Sequence, residues 1–377
     1  MPHRIHIISF DIPFPANYGG VIVVYYHLKK LAEKGVKVIL HCFEYGDRSP
    51  QSILLDYCEA VYYYPRSRAL YHQFSTVPFI VKTRQNPTLL KRLLADDYPI
   101  LMEGLHCAGF INHPALANRL KLLRMHNIEW QYYRNLAQLE KRWLHKLYLY
   151  LESQKLRRYE QKNIAYADQI LSLTQLDATY FAQWSDQVQM IGPFHAHEKV
   201  TSRLGRGNYI LFHGKLSVED NEKAAIYLIE KVMPFTDAKL IVAGMNPNPT
   251  LQVIASEQDN VEVIANPSES EMLELIRAAQ VNVLLSFQVA GIKLKLLNAL
   301  FLGRHCLVNP TIVEGTALAD LCTIAVDPNA FVQKIDLLWS QDFTTALMDK
   351  RKIILQEEYS NEVAARKTIK IVDIGKK

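Results

Sequence analysis

The sequence predicts an α/β protein made of two successive domains, each a parallel sheet with crossover helices. Three observations carry that expectation. The chain has 377 residues, more than one ordinary hydrophobic core fills. Short apolar runs of strand length alternate with stretches of helical periodicity along nearly all of it. A Gly192-Pro193 pair and a polar run from His195 to Asn208 interrupt the alternation, which then restarts, as a linker would. The expected domains are 1–197 and 198–360.

Composition narrows the class. Hydrophobic residues at 49% and charged residues at 21% are proportions that build a soluble globular protein. No apolar run reaches the ~20 residues that span a bilayer. The start, MPHRIHIISFDIPFP, reads as a first strand entering a loop rather than as a signal peptide. Cys42, Cys58, Cys107, Cys306 and Cys322 are odd in number and form no C-x-x-C pair. Neither a disulfide framework nor a zinc site is indicated, and a cytoplasmic location is expected. Charge is uneven: residues 1–195 hold 23 Lys+Arg against 16 Asp+Glu, and the remainder 20 against 22. A basic first half suits an anionic partner, either a phosphorylated acceptor or the inner face of a membrane contacted peripherally; an uneven but ordinary surface is the plainer reading. Nucleic acid is disfavoured, because no recognised motif accompanies the modest charge.

In the first half, Ile5 to Phe10 reads as a strand. The loop Asp11 to Gly20 follows, then a helix to Glu33 ended by Gly35, then a strand from Val36 to Cys42. Gly19-Gly20 at a helix start suits a phosphate or a close-packed ligand, but lacks the spacing of a dinucleotide fingerprint or a P-loop. Tyr62, Tyr63, Tyr64, Arg66, Arg68, Tyr71 and His72 form an aromatic and basic cluster, read as half-buried packing or as lipid contact. Pro99 to Leu105 is a strand containing Glu103, followed by His106. A histidine just past a parallel strand sits at the edge where such sheets bind ligands and can serve a substrate oxygen. Lys121 to Met125 is the next strand, with His126 and Glu129 beyond it. Asn127 reads as the N-cap of a helix running from Glu129 to about Ala165, rich in lysine and arginine on its polar faces. Ala167 to Leu173 reads as the last strand of this half.

In the second half, strands are expected at Tyr209–Phe212, Ala238–Ala243, Val261–Ile264 and Ile324–Val326, with Gly214-Lys215 past the first and Gly244 as a turn after the second. Ser268 and Glu271 make a capping box. The most informative stretch runs from Leu284 to Leu318. Val281 to Leu285 is a strand, Gly291 leads into a helix from Lys293 to Leu302 stopped by Gly303, and Cys306 to Val308 is a strand. Unpaired backbone N–H groups and a positive dipole end at that helix start favour a phosphate. Lys293 and Lys295 add charge, but stand about 200° apart on the helix, so one at most faces a ligand squarely. Lys293 is preferred; two solvated lysines on a crossover helix remain the alternative.

These motifs, taken in order, resemble the retaining GT-B glycosyltransferases of family 4 type. The residues that carry the resemblance are Gly214-Lys215, Val242-Ala-Gly244, the Val261-to-Leu285 segment and Gly291-Ile-Lys-Leu-Lys-Leu-Leu-Asn-Ala-Leu300, with Gly19-Gly20, His106 and His126-Asn127 in the first half. The resemblance implies two Rossmann-like βαβ domains facing a central cleft, an acceptor-side domain at 1–197 and a donor domain at 198–360. A terminal helix, 361–377, would pack back on the first domain. It further implies a nucleoside-diphosphate sugar as donor substrate, no cofactor and no metal. Gly214, Lys215, Gly291 and Lys293 would sit at the diphosphate, Ala265, Asn266 and Pro267 along the base, and Gly19 and Gly20 at the diphosphate or acceptor. His106 would be the catalytic histidine of the cleft, with His126 and Glu129 on the acceptor side.

Two departures stand out. Where the family carries a Glu-x7-Glu pattern, this chain has Ala290 and Asn298. Asn298 can still hydrogen-bond ribose hydroxyls; Glu314 is a downstream carboxylate. The leading expectation is sugar transfer, with retention, to a glycan or lipid-linked acceptor. A degenerate GT-B protein that binds without catalysis, and a nucleotide-sugar epimerase, are the competing readings.

Overall fold

A computed structural model of the chain describes residues 3–288 and 291–374. They fall into two compact units, Met1–Ala196 with Tyr359–Lys377, and His197–Glu358. Ala290, one of the two departures from the Glu-x7-Glu pattern, lies outside the described residues, as do 375–377 of the expected terminal helix.

The first unit is a doubly wound sheet. Its elements are β1 (Arg4–Ser9), α1 (Gly19–Glu33), β2 (Lys37–Glu44), β3 (Ala60–Pro65), α2 (Phe79–Lys82), α3 (Pro87–Leu93), β4 (Ile100–Glu103), β5 (Lys121–Met125), α4 (Glu129–Leu139), α5 (Trp143–Asn163), β6 (Gln169–Ser172), α6 (Gln175–Phe181) and β7 (Val188–Met190). All seven strands are parallel in the order β3-β2-β1-β4-β5-β6-β7. The inner strands β1, β4, β5 and β6 are buried along nearly their whole length and read as near-continuous apolar runs.

The second unit holds β8 (Ile210–Lys215), α7 (Glu219–Lys231), β9 (Leu240–Met245), α8 (Pro249–Ser256), β10 (Val261–Ala265), α9 (Glu269–Ala278), β11 (Val281–Leu284), α10 (Leu294–Leu302), β12 (His305–Val308), α11 (Pro310–Val313), β13 (Thr323–Ile324), α12 (Pro328–Trp339) and α13 (Thr345–Glu358). Its six strands are parallel in the order β10-β9-β8-β11-β12-β13. The last helix, α14 (Asn361–Ile374), belongs to the first unit, where Ala364, Ala365, Ile371 and Val372 join the core formed by β1, β2 and α1. Lys34 pairs with Glu362 at 2.5 Å, and the Asn361 amide bonds both backbone groups of His195.

In each sheet the strand order reverses beside the first strand, between β1 and β4 and between β8 and β11. Ligands of open parallel sheets bind beyond the C-terminal ends of the strands at such points.

Several local expectations are corrected. The long helix after Glu129 is two: Glu140 is extended, its carboxylate accepts from Arg142 N at 2.8 Å, and α5 starts anew. Asn127 is not a cap; Ile128 occupies that position without a side-chain bond. Val188–Met190 adds a seventh strand after the one expected to be last. Tyr62, Tyr63 and Tyr64 lie in β3, the first two half-buried and Tyr64 buried, in line with the packing reading of that cluster, whereas Tyr71 is exposed. Gly303 has φ −83° and needs no left-handed backbone; a Cβ there would lie 2.2 Å from Asn282 Nδ2.

Gly244 is likewise no turn. It pairs with Gly214 inside the sheet, and a Cβ on it would lie 1.8 Å from Gly214 O. Only a missing side chain lets these backbones approach. Gly244→Ala is therefore expected to destabilise the second unit by about 2–3 kcal/mol, the scale of overpacking a rigid core. A lowered urea midpoint for that unit, with an unchanged transition of the first, is the check.

Candidate functional site

In the first unit the switch point is organised by a buried carboxylate. Glu103, the last residue of β4, has no solvent exposure. Its Oε1 lies 2.9 Å from His27 Nδ1 on α1, and its Oε2 lies 2.8 Å from His126 Nε2 just past β5. The Arg124 Nε is 3.9 Å from Oε2. Burial opposes ionisation of Glu103, but the bonds from His126 and His27 and the Arg124 charge outweigh it and hold the carboxyl well below its usual range. Arg124 is itself anchored, by an Nη2 bond to Gly192 O at 2.8 Å and by stacking over Phe194. His27 lies flat on that same ring, 4.2 Å between centroids. A carboxylate accepting from His126 Nε2–H leaves Nδ1 as the basic nitrogen of that ring.

His106 is placed differently. Its Nδ1 is buried without a hydrogen-bond partner, and its ring lies 5.4 Å from Phe10. Burial pushes its pKa well below the ordinary histidine value, helped by the nearby Arg84 and His126 charges; the imidazole is neutral. Phe10 also meets His126 edge-on at 5.6 Å. It presses on Gly20, where a Cβ would lie 2.6 Å from the ring. Gly20 thus admits the Phe10 ring, and Gly19 is exposed at an α1 N-terminus with no acidic residue in its first turn. Glu129 is buried rather than open to an acceptor; burial raises its pKa to about 7 against the opposing Asn127 hydrogen bond and Arg84 charge.

In the second unit the chemistry is cationic. Lys295 Nζ donates to Asn221 Oδ1 at 2.8 Å and to Leu285 O at 3.1 Å, and sits over the Phe212 ring. Burial lowers its pKa to about 8, with Asp220 opposing and Lys293 adding. Lys293 is the N-cap residue of α10, and burial lowers its pKa too. Asp220 fixes the loop after β11, accepting from Ser286 Oγ at 2.7 Å and Phe287 N at 2.8 Å. Asn309 holds it from the other side, Nδ2 donating to Ser286 O at 2.7 Å.

Helix N-termini here differ in their compensation. The first turn of α7 carries Glu219, Asp220 and Glu222, and α9 has the Ser268–Glu271 capping box. The α10 terminus has neither a side-chain cap nor an acidic residue in its first turn. Lys293 and Lys295 add positive charge at this end, where a helix dipole favours negative groups.

The structure brings Gly214, Gly291, Lys293 and Lys295 to the β8/β11 edge: Asn221, which holds Lys295, also donates to Lys215 O and contacts Gly214. The Lys215 side chain is exposed. Ala265 ends β10, and Asn266 takes a left-handed φ of 52°, its Oδ1 accepting from Asn246 N at 2.7 Å; Pro267 follows. Asn298, half-buried, has its Oδ1 2.8 Å from His197 Nε2. Glu314 is exposed after α11. Glu103, Arg124, His27, Asp220 and Asn221 escaped the sequence reading. The one available signal was a carboxylate at the end of an otherwise apolar strand.

Comparisons with known proteins agree with this architecture. Residues 207–341 match the family described as glycosyl transferases group 1. An uncharacterized 44.6 kDa protein in the cps region of Klebsiella pneumoniae is 27% identical over 317 residues, covering 79% of this chain and 80% of that protein. A glycosyltransferase from Rickettsia africae superimposes with a TM-score of 0.69 at 12% identity, covering 100% of this chain and 99% of the other. HepE of Anabaena in complex with UDP and glucose gives 0.64 at 10%, covering 99% and 100%. The fold is GT-B, with two Rossmann-like parallel-sheet domains, and a glycosyltransferase function is supported.

Two predictions follow from the first unit's charges. Glu103→Gln leaves Arg124 and two imidazoles around a neutral amide. It is expected to cost about 3 kcal/mol or more, as when one partner of a buried pair is removed, read as a lower Tm of that unit. The second concerns pH. Burial raises the pKa of Asp177 to about 6 and of Glu160 to about 8, as it does for Glu129. The folded unit therefore binds more protons than the unfolded chain, and stability from these groups is lost as pH rises toward those values. Buried His6, His27, His41 and His106, with pKa values below 6.5, act oppositely, but only at lower pH. The Tm of the first unit is expected to fall between pH 6.5 and 8, and Glu160→Gln to flatten that limb.

Proposed function

We propose that the protein transfers a sugar, with retention, from a nucleoside-diphosphate sugar to a glycan or lipid-linked acceptor. The observation that carries this is the uncapped N-terminus of α10, flanked by Lys293 and Lys295 and facing the C-terminal strand edge. It suits a diphosphate: backbone N–H groups bond its oxygens, the lysines balance its charge, and no metal is needed for that purpose. In this reading the left-handed Asn266 turn, with Ala265 and Pro267, lies along the base. HepE was solved with UDP and glucose, and the match to a protein of a cps region agrees with a glycan acceptor. His106, a neutral imidazole with an unpaired nitrogen, bonds a substrate oxygen. His126, oriented by Glu103, serves the acceptor side. The leaving phosphate takes the acceptor proton as the new glycosidic bond forms on the face the phosphate leaves.

A thermal-shift panel of UDP-, GDP-, ADP- and TDP-sugars, run in chelator, tests the donor site. A ligand at a hundred times its Kd stabilises the folded state by about 2.7 kcal/mol. The expected result is a raised Tm with sugars of one base, reduced in Lys293→Ala and Lys295→Met. No shift with any of them at millimolar ligand would sink the reading. The anomeric configuration of the product, read by NMR, tests retention.

A further inference from the structure

The outer face of α5 is apolar where solvent should favour polarity. At about 100° per residue, Trp143, Leu144, Leu147, Tyr150 and Leu151 fall within a stripe of roughly 120°. That stripe is centred opposite the residues the helix buries, Leu149, Glu152, Ser153, Leu156 and Glu160. All five stripe residues are exposed, Trp143 at 71%.

A second element extends the patch. Leu70, Tyr71 and Phe74 are exposed on the turn before α2, Phe74 at 90%. The turn is held against α5 by Lys155 Nζ donating to Gln73 O at 2.6 Å, and α2 by Phe79 N donating to Glu152 Oε2 at 2.8 Å. An apolar surface drawn from two separate segments is larger than scattered exposed residues explain.

The charges along it are mainly basic. Just before the turn Arg68 is exposed and Arg66 partly so, and residues 60–95 hold no Asp or Glu. Along α5, Lys146, Arg157 and Arg158 are exposed, whereas both of its acids, Glu152 and Glu160, are buried. Glu140, which precedes the helix, is engaged by Arg142 and His145. Aromatic and leucine side chains ringed by cations are the composition of a surface that enters the headgroup layer of an anionic bilayer. A second copy of the chain fits poorly, because a two-fold contact would set these cations against themselves.

We infer that the outer stripe of α5 and the Leu70–Phe74 turn form a docking surface for an anionic phospholipid membrane. This inference stands independently of the donor-site reading. The test is co-sedimentation of the full chain with vesicles of phosphatidylcholine alone and with about one third phosphatidylglycerol. Binding is expected on the anionic vesicles only, weakened by high salt. Leu144→Asp with Leu147→Asp should weaken it at least about tenfold, and Lys146→Glu with Arg158→Glu should weaken it too. Phe235→Asp, at an exposed apolar site of the second unit, should leave it intact. Tryptophan emission of the unmodified chain should shift to the blue on anionic vesicles, and Trp143→Phe should remove that shift. The inference is overturned by absence of binding to anionic vesicles, by equal binding of the stripe variant, or by a wild-type dimer that the stripe variant converts to monomer.

Discussion

The first unit depends on keeping one carboxylate ionised where no water reaches it. Alone, a group as buried as Glu103 would take up a proton, because desolvation of the charge exceeds any packing gain. Two imidazoles and a guanidinium reverse that outcome. Each partner comes from a different place: His27 from α1, Arg124 from within β5, His126 from beyond its end. The same contacts that hold the charge therefore clamp the first crossover helix and two central strands together at the switch point. They also differentiate three histidines. His27 is locked between Glu103 and Phe194. His126 is oriented through one nitrogen. His106, with no such partner, is held neutral by burial beside Phe10.

The second unit uses the opposite chemistry. Asp220, half-buried at the strand edge, accepts from Ser286 and Phe287 and shapes the loop, and the first turn of α10 carries no acid. Lys295 is not free in solution: Asn221 and Leu285 O fix its position, and Phe212 lies beneath it. Two lysines near one helix end repel each other and lose hydration together, which is why burial lowers both. Asp220 offsets part of that cost for both lysines, and an anion at that end would offset more of it.

The fold class was legible because parallel strands buried on both faces leave apolar runs that helical segments separate. Elements tied to such runs, such as β1, β5 and β11, were placed within a residue or two. Much of what failed depends on a distant partner. Glu103 looked like a strand residue because His27 is 76 positions away. Gly244 looked like a turn because its reason is the Gly214 carbonyl on a neighbouring strand. The periodicity of α5 revealed two faces, but periodicity cannot say which one meets the core; the leucines at 144, 147 and 151 turned out to face water. The break at Glu140 depended on a local carboxylate-to-backbone bond that competes with helix.

Asn298 shows how a departure from a family pattern acquires a physical reason. In the structure its Oδ1 bonds Nε2 of His197, whose pKa burial lowers. A neutral imidazole donates that proton to an amide oxygen without placing any charge in the protein. A glutamate at the same position would pull His197 toward the imidazolium form and bury an ion pair, whose desolvation its own attraction does not reliably repay. The amide and the histidine therefore belong together. Within this chain the position serves the packing of α10 against the segment that opens the second unit, and the positive end of that helix is left to Lys293, Lys295 and the backbone.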